Sequence, residues 1–284
     1  MKIAAIIPAH NEEHYIEQTL RSLVEQSYPI HQIIVVNDHS TDDTSDIVEH
    51  LMTSYPKIQL IHRESERMNV PGSKVVKAFN QGLQELDLDR YDVVCKFDAD
   101  LIFPKDYIEQ LVLRFRESDT TGMVAGHCSI LKNGSWELEG ITNKDHIRGA
   151  LKSYRVECFK NIGGLKESIG WDTMDEMLAR FYGWTVITID DLYVKHLKPT
   201  GHSYNAKAKY LQGEAFYKMR YGYVLTAITA FKIALQKRQL RLIYDYLLGY
   251  IKAQRGIIKP LITNEQGKFI RSYRWRGIAT KLGL

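Results

Sequence analysis

The chain has 284 residues, 44% hydrophobic and 25% charged, a globular composition long enough for one large α/β domain plus an extension. Its net charge of +4 hides a split: residues 198–284 carry 17 basic and 3 acidic side chains, a net +14, and the rest carries −10. Three scattered cysteines, Cys95, Cys128 and Cys158, exclude a disulfide framework or a cysteine zinc site and read as buried, reduced thiols of a cytoplasmic protein.

Residues 2–7 read as a first core strand, and the apolar run before Pro8 is too short for a signal-peptide core. Helical spacing of Ile16, Leu20, Leu23 and Val24 predicts a helix over 13–26, and 32–36 is a second strand. A helix follows over 41–55, with Ser40 or Thr41 as cap and Asp42 and Asp43 in its first turn, where the helix dipole favours them. A strand at 58–62, a helix at 73–86, a strand at 91–97, a helix at 104–116 and a strand at 122–128 continue the alternation. This βαβα order predicts an α/β fold with a doubly wound, mostly parallel sheet.

Residues 129–139 read as an excursion, followed by a helix over 173–182 and two short strands, 185–189 and 193–196. Beyond Gly201 the pattern turns helical, over 206–221, 224–235, 240–254 and 265–279. The expected organisation is a catalytic unit over 1–200 and a basic, aromatic helical extension over 201–284. The uncharged window 221–231 falls well short of the roughly 20 residues a spanning helix needs. Its basic flanks and the nearby Tyr210, Phe216, Tyr217 and Tyr221 suit a helix lying in a membrane interface, or equally one packed on the domain. The basic tail is expected to meet an anionic membrane surface; nucleic acid is not expected.

Chemistry concentrates where strands end. The first strand closes in Pro8-Ala9-His10-Asn11-Glu12-Glu13 and the second in Val36-Asn37-Asp38-His39-Ser40-Thr41-Asp42. The fourth runs into Asp98-Ala99-Asp100. Open α/β sheets bind ligands at this carboxyl edge. Paired carboxylates there suit a hard divalent cation, although an isolated Asp-x-Asp is more often a solvated turn. No Gly-x-Gly-x-x-Gly follows the first strand, which argues against a dinucleotide-dependent oxidoreductase, and the Gly-rich, Arg-containing loop of a nucleotidyltransferase is missing there too.

Taken together, these motifs resemble the family 2 glycosyltransferases of the GT-A fold. The matching residues are Pro8–Glu12, Val36–Asp42, Gly72 with Ala78-x-Asn80-x-Gly82, Asp98-Ala99-Asp100 and Gly163-Gly164-Leu165, in the family's order across about residues 1–200. The resemblance implies a metal-dependent inverting transferase that moves a sugar from a UDP- or GDP-sugar to an acceptor hydroxyl, with a lipid-linked or envelope glycan as the acceptor. The displaced acidic motif described below keeps a second reading open, a non-catalytic sugar-nucleotide-binding scaffold. Pro8, Ala9, His10, Asn11, Glu12 and Asp38 are then expected to line the nucleoside pocket. Asp98 and Ala99 would lie by the ribose, with Asp98 also near the metal, and Asp100 would ligate Mg²⁺ or Mn²⁺. Lys74 and Arg67 are candidates for the diphosphate, against the plainer reading of surface charge.

The proton acceptor is harder to register. The family's acidic motif, counted back from Arg180, puts Glu176 on its second acid but Met174 on the base, so Asp175 or Asp172 must substitute. Asp175 is preferred, because Asp172 stands three residues before it at capping-box spacing. His196 is a further candidate for the metal or diphosphate, with His202 behind it in a turn that would close over the donor. Trp171 and Trp184 are candidate sugar platforms, with a core role as the alternative.

Overall fold

The computed structural model describes residues 1–64, 72–139, 145–198, 210–281 and 283. Arg67 and the 199–202 turn with His202 lie outside them. In chain order the elements are β1 (Ile3–Ala9), α1 (Ile16–Val24), β2 (Gln32–Asp38), α2 (Thr44–Ser54), β3 (Ile58–Arg63), α3 (Ser73–Gln84) and β4 (Val93–Phe97). There follow β5 (Leu101–Ile102), α4 (Tyr107–Glu117), β6 (Thr121–Lys132), β7 (Ser135–Leu138), β8 (Leu151–Arg155), α5 (Val156–Asn161), α6 (Trp171–Phe181) and β9 (Thr185–His196). Four helices close the described chain: α7 (Leu211–Lys218), α8 (Tyr223–Gln236), α9 (Arg241–Arg255) and α10 (Asn264–Lys281).

The strands form one sheet in the order β3-β2-β1-β4-β8-β6-β9-β5, with β7 beside β6. β1 to β4 pair in parallel, and the Ile/Val-rich runs of β1 and β2 suit strands covered on both faces. The mostly parallel expectation is otherwise corrected, because the sheet is mixed. β8 runs antiparallel to both β4 and β6, β7 to β6, and β5 to β9. β8 is the inserted strand: the excursion before it returns the chain against β4 in the opposite direction.

Three finer expectations also change. The helix expected over 41–55 begins at Thr44 with Asp43 before it, and neither Ser40 nor Thr41 caps it. The two short strands near 190 are one strand, β9, parallel to β6 with a register shift opposite Ala125–His127. The excursion is largely β-structure, since β6 continues to Lys132 and turns into β7.

Helices pack where the sequence leaves room. A Cβ at Gly82 of α3 would lie 2.7 Å from Ile6 Cγ2 and 2.8 Å from Val36 Cγ2, so this glycine lets α3 settle onto β1 and β2. The helical tail is fastened similarly: α7 and α9 meet at Gly213 and Gly249, where a Cβ would reach the Tyr246 and Tyr210 carbonyl oxygens at 1.9 and 2.2 Å. α10 lies on α6 through the Phe269 and Phe181 rings, 5.6 Å apart, and Gln266 Nε2 donates to the Tyr182 hydroxyl at 3.2 Å. Cys95, Cys128 and Cys158 are free and buried. Among the described residues no helix is long and apolar enough to cross a membrane.

Candidate active site

The loops after β1 and β2 are stitched into one unit. Asn11 and His39 turn the chain in left-handed conformations, with φ of 54° and 60°. Asn11 N–H donates to Ser40 Oγ at 3.0 Å and Thr41 N–H to Asn11 Oδ1 at 2.8 Å. Glu12 N–H donates to Thr44 Oγ1 at 2.8 Å, and His10 Nδ1 bonds the Asp38 carbonyl oxygen at 2.7 Å. The Asn11 side chain thus ties the two loops together through Oδ1 while remaining exposed at their surface. Asp38 is buried and paired with Arg63, so its carboxylate is fixed at the end of β2.

β5 follows β4 after three residues yet pairs with β9 at the far edge of the sheet, so Asp98-Ala99-Asp100 carries the chain across the carboxyl edge. Ala99 is held from behind, its carbonyl accepting from Thr19 Oγ1 at 2.8 Å. Leu101 and His196 are register partners across β5 and β9, which brings the His196 ring to Asp100, with Nε2 3.3 Å from Asp100 Oδ2. His196 Nδ1 lies 2.9 Å from Glu139 Oε2, and Arg148 Nη1 pairs with the same oxygen at 2.9 Å. Burial would lower the His196 pKa, but Asp100 and Glu139 outweigh it and hold it up at about 9.

Asp98 is engaged differently. Lys96, almost fully buried on β4, donates to Asp98 Oδ1 and, at 2.9 Å, to the Gly149 carbonyl. Burial alone would raise the Asp98 pKa, but Lys96 more than offsets it, with smaller help from His196 and Arg148, and the carboxyl sits below its ordinary range. The same ammonium lies 5.5 Å from the Trp171 ring centroid. Glu12 completes this side: Lys198 bonds Oε1 at 2.8 Å, while Oε2 is buried with no hydrogen-bond partner among the described residues. Its pKa is raised chiefly by burial, with Asp100 and Asp98 adding to the rise against Lys198.

This donor set fits a hard cation. Asp100 Oδ2 and His196 Nε2 are at the separation of neighbouring ligands on one ion, and a carboxylate on the far imidazole nitrogen is the usual support for a ligating histidine. Glu12 Oε2, unpartnered among the described residues, is a further buried acceptor near them. Cys128, Glu139 and His196 also lie close enough to share an ion. The Cys128 thiol, however, is pushed up to about 12 by burial, and thiolates are soft ligands poorly matched to Mg²⁺ or Mn²⁺.

The acids of α6 divide sharply. Asp175 is 2% exposed: Tyr154 donates to Oδ2, Lys152 Nζ to Oδ1 at 3.1 Å, and the Glu176 N–H to Oδ1 at 2.6 Å. Burial pushes its pKa up to about 7 despite Lys152. Asp172 is 31% exposed, in the first turn of α6, with His146 Nε2 3.5 Å from Oδ2. Burial would raise its pKa, but His146 and Lys152 keep it lowered. His146 Nδ1 pairs in turn with Glu176 Oε1 at 2.9 Å, and the two acids lift the imidazole to about 9 against the effect of burial. A Cβ at Gly149 would lie 3.5 Å from Asp172 Cβ, and the Gly149 carbonyl binds Lys96, so Asp172 neighbours the Asp98 end of the crossing.

Lys74 is half-buried in the first turn of α3 and meets none of these groups in a described contact. Pro8 and Ala9 close β1, Ala9 buried and Pro8 half-buried. Trp171 is 6% exposed and packs against Lys96, and half-buried Trp184 donates from Nε1 to Asn161 Oδ1 at 2.9 Å. Sequence reasoning missed Lys96, Lys152, His146, Arg148, Glu139 and Lys198. For the first two a signal existed, a lysine inside an apolar strand; for the others only the topology brings them to the site.

The mixed α/β sheet, the acidic crossing of its carboxyl edge and the stitched β1 and β2 loops define a GT-A-like fold. The family model described as glycosyl transferase family 2 matches residues 4–168, and the chain belongs to that family. Probable glycosyltransferase YdaM of Bacillus subtilis (strain 168) is 36% identical over 193 residues, covering 63% of this chain and 44% of YdaM. The poly-beta-1,6-N-acetyl-D-glucosamine synthase of Staphylococcus epidermidis is 25% identical over 166 residues, 58% of this chain and 35% of the synthase. The chain therefore spans less than half the length of these curated relatives.

Among solved structures, S. aureus TarS 1–349 in complex with UDP-GlcNAc superposes with a TM-score of 0.59 at 20% identity, over 90% of this chain and 73% of that one. The mannosyltransferase PcManGT of Pyrobaculum calidifontis, in complex with GDP-Man and Mn²⁺, gives 0.56 at 18% identity over 98% and 80%. At such identities the likeness concerns the fold.

Proposed function

We propose that the protein is a metal-dependent inverting glycosyltransferase that moves a sugar from a UDP- or GDP-linked donor to an acceptor hydroxyl, the acceptor being a lipid-linked or envelope glycan. The observation that carries this reading is one rim holding two chemistries. The Asp100–His196 pair, 3.3 Å apart, is built for a cation, and across Gly149 a partly exposed carboxylate, Asp172, is built to take a proton. The structural neighbours bound to UDP-GlcNAc and to GDP-Man with Mn²⁺ support the donor class.

In this reading Asp100 and His196 hold Mg²⁺ or Mn²⁺, which when bound supplies Lewis-acid neutralisation of diphosphate charge. Asp38 and the β1 loop seat the nucleoside, and Asp98, fixed by Lys96, faces the ribose. Asp172 accepts the acceptor hydroxyl's proton at Oδ1 or Oδ2 as that oxygen attacks the anomeric carbon. The bond from that carbon to the diphosphate oxygen breaks and its electron pair leaves with the diphosphate. His146 holds the Asp172 carboxylate in place. We assign the base to Asp172 rather than Asp175, because every Asp175 oxygen is already bonded inside the core.

The binding-only alternative draws on Met174, fully buried where the family motif places its base. One experiment separates the two. Thermal shift and donor turnover are measured with UDP- and GDP-sugars and Mn²⁺ on wild type and Asp172→Asn. Transferase function requires wild-type turnover that Asp172→Asn loses while donor binding persists; donor binding without turnover in wild type supports the scaffold.

A further inference from the structure

Helices α8 and α9 form an antiparallel hairpin: Tyr223 at the start of α8 bonds Gln254 near the end of α9, and the Tyr223 and Tyr250 rings lie 4.8 Å apart. One face of α8, through Leu225, Ala230 and Ala234, is buried. The other carries Val224, Ile228, Phe231 and Leu235, spaced by four, three and four residues, a straight stripe on a helix. Leu240 and Tyr244 extend the stripe around the hairpin tip. All six are exposed, and all but Ile228 by more than half of their surface.

The rim of this stripe is basic. Lys232, Lys237, Arg238 and Arg241 are exposed on and beside the tip. Between residues 223 and 255 there are six Lys or Arg and one acid, Asp245, which is buried. An exposed apolar stripe framed by cations, with a tyrosine at its margin, is the pattern of a helix that lies in the headgroup region of an anionic bilayer.

We propose that the α8–α9 hairpin tip docks on an anionic lipid surface, with the Val224–Leu235 stripe, Leu240 and Tyr244 entering the interface and Lys232, Lys237, Arg238 and Arg241 meeting lipid phosphates. Charge complementarity selects this occupant over a second copy of the chain, which would set one basic rim against another with no exposed acid on the hairpin to answer it. The surface deepens the acceptor side of the proposed transfer reaction, and it rests on that reading only for the substrate it would meet there.

The test is vesicle co-sedimentation with phosphatidylglycerol in phosphatidylcholine against phosphatidylcholine alone, with sedimentation velocity run alongside. Wild type is expected to pellet with the anionic vesicles and to be released by salt. At about 1 kcal/mol for each cation near an anionic surface, Lys237→Gln/Arg238→Gln should weaken partitioning roughly 30-fold. Phe231→Gln/Leu235→Gln should abolish it, with melting temperature unchanged because both sites are exposed. Asp172→Asn should pellet as wild type does, so loss of turnover and loss of docking are read separately. Equal binding to neutral and anionic vesicles, no binding to either, or variants that pellet like wild type would overturn the proposal. So would a stripe substitution that splits a dimer and leaves vesicle binding unchanged, since the stripe would then be a self-contact.

Discussion

Lys152 is fully buried on β8, and its ammonium donates to Asp175 Oδ1 at 3.1 Å, Glu176 Oε1 at 3.0 Å and the Asp172 carbonyl at 2.6 Å. Replacing it with Met keeps most of the stem volume but strands two buried carboxylates and unties the first turn of α6. Removing one partner of a buried ion pair costs about 3–5 kcal/mol. At about 2 °C per kcal/mol for a chain of this size, melting should fall by roughly 6–10 °C. The pH dependence is more diagnostic. Without Lys152 the folded pKa of Asp175, already raised by burial, rises further, and Glu176 loses a cation that holds its pKa below the ordinary range. The native state then holds more protons than the unfolded chain, and stability falls as pH rises through that window. The deficit of Lys152→Met against wild type should therefore widen between about pH 5 and pH 8, where ionised carboxylates are to be buried. Urea melts at the two pH values measure it. A deficit equal at both would mean that Lys152 acts through packing, and the charge argument would fail.

The remaining expectations are simpler. Asp172→Asn should lower kcat by about 10²–10⁴, the usual worth of a general base, with the donor dissociation constant unchanged by calorimetry; wild-type turnover would remove Asp172 from the base role. With Mn²⁺ and donor at about 100 times the dissociation constant, wild type should gain roughly 2.7 kcal/mol, about 5 °C, and Asp100→Ala should lose that gain. If Asp100→Ala keeps the full metal-dependent shift, the ion sits elsewhere. Gly213→Ala should destabilise by about 1–3 kcal/mol, since its Cβ would fall 1.9 Å from the Tyr246 carbonyl, even though Ala favours a helix by about 1 kcal/mol. An unchanged or raised melting temperature would show that α7 and α9 part without cost.

What the sequence disclosed follows from how local each signal is. β1 and β2 were legible because each is an apolar run with little outside it to consult, and β3 and β4 because they continue the strand–helix alternation. β8 was not: Leu-Lys-Ser-Tyr-Arg is short and mostly polar, and Lys152 is tolerable inside it only because partners more than twenty residues away meet it. β9 looked like two strands because Asp190 and Asp191 interrupt its apolar run, where its register against β6 shifts. The choice between Asp172 and Asp175 was hidden by α6 itself. Its residues from Met174 to Ala179 are all buried, so no single buried stripe marks which acid turns outward. Glu139 and His146 meet the site only through the mixed strand order, which no spacing in the chain encodes.

The electrostatic balance of the rim supports the proposed cation site. Lys96 and Lys152 are direct register partners on antiparallel β4 and β8, both buried, a placement in which like charges repel. Each is turned to a different set of acids: Lys96 to Asp98, Lys152 to Asp175 and Glu176. Arg148 and His196 are taken by Glu139 and Asp100, Lys198 by Glu12, and His146 by Asp172 and Glu176. Seven acids thus face six cationic groups, each of which is already paired. A donor diphosphate arriving at this rim adds negative charge that these paired groups can answer only by abandoning buried carboxylates. In the proposed reading a divalent ion held by Asp100 and a His196 that has given up its proton would add one net positive charge here without breaking any lysine or arginine pair. Donor affinity is accordingly expected to depend steeply on the metal, while the Lys96 and Lys152 pairs keep the fold in its absence.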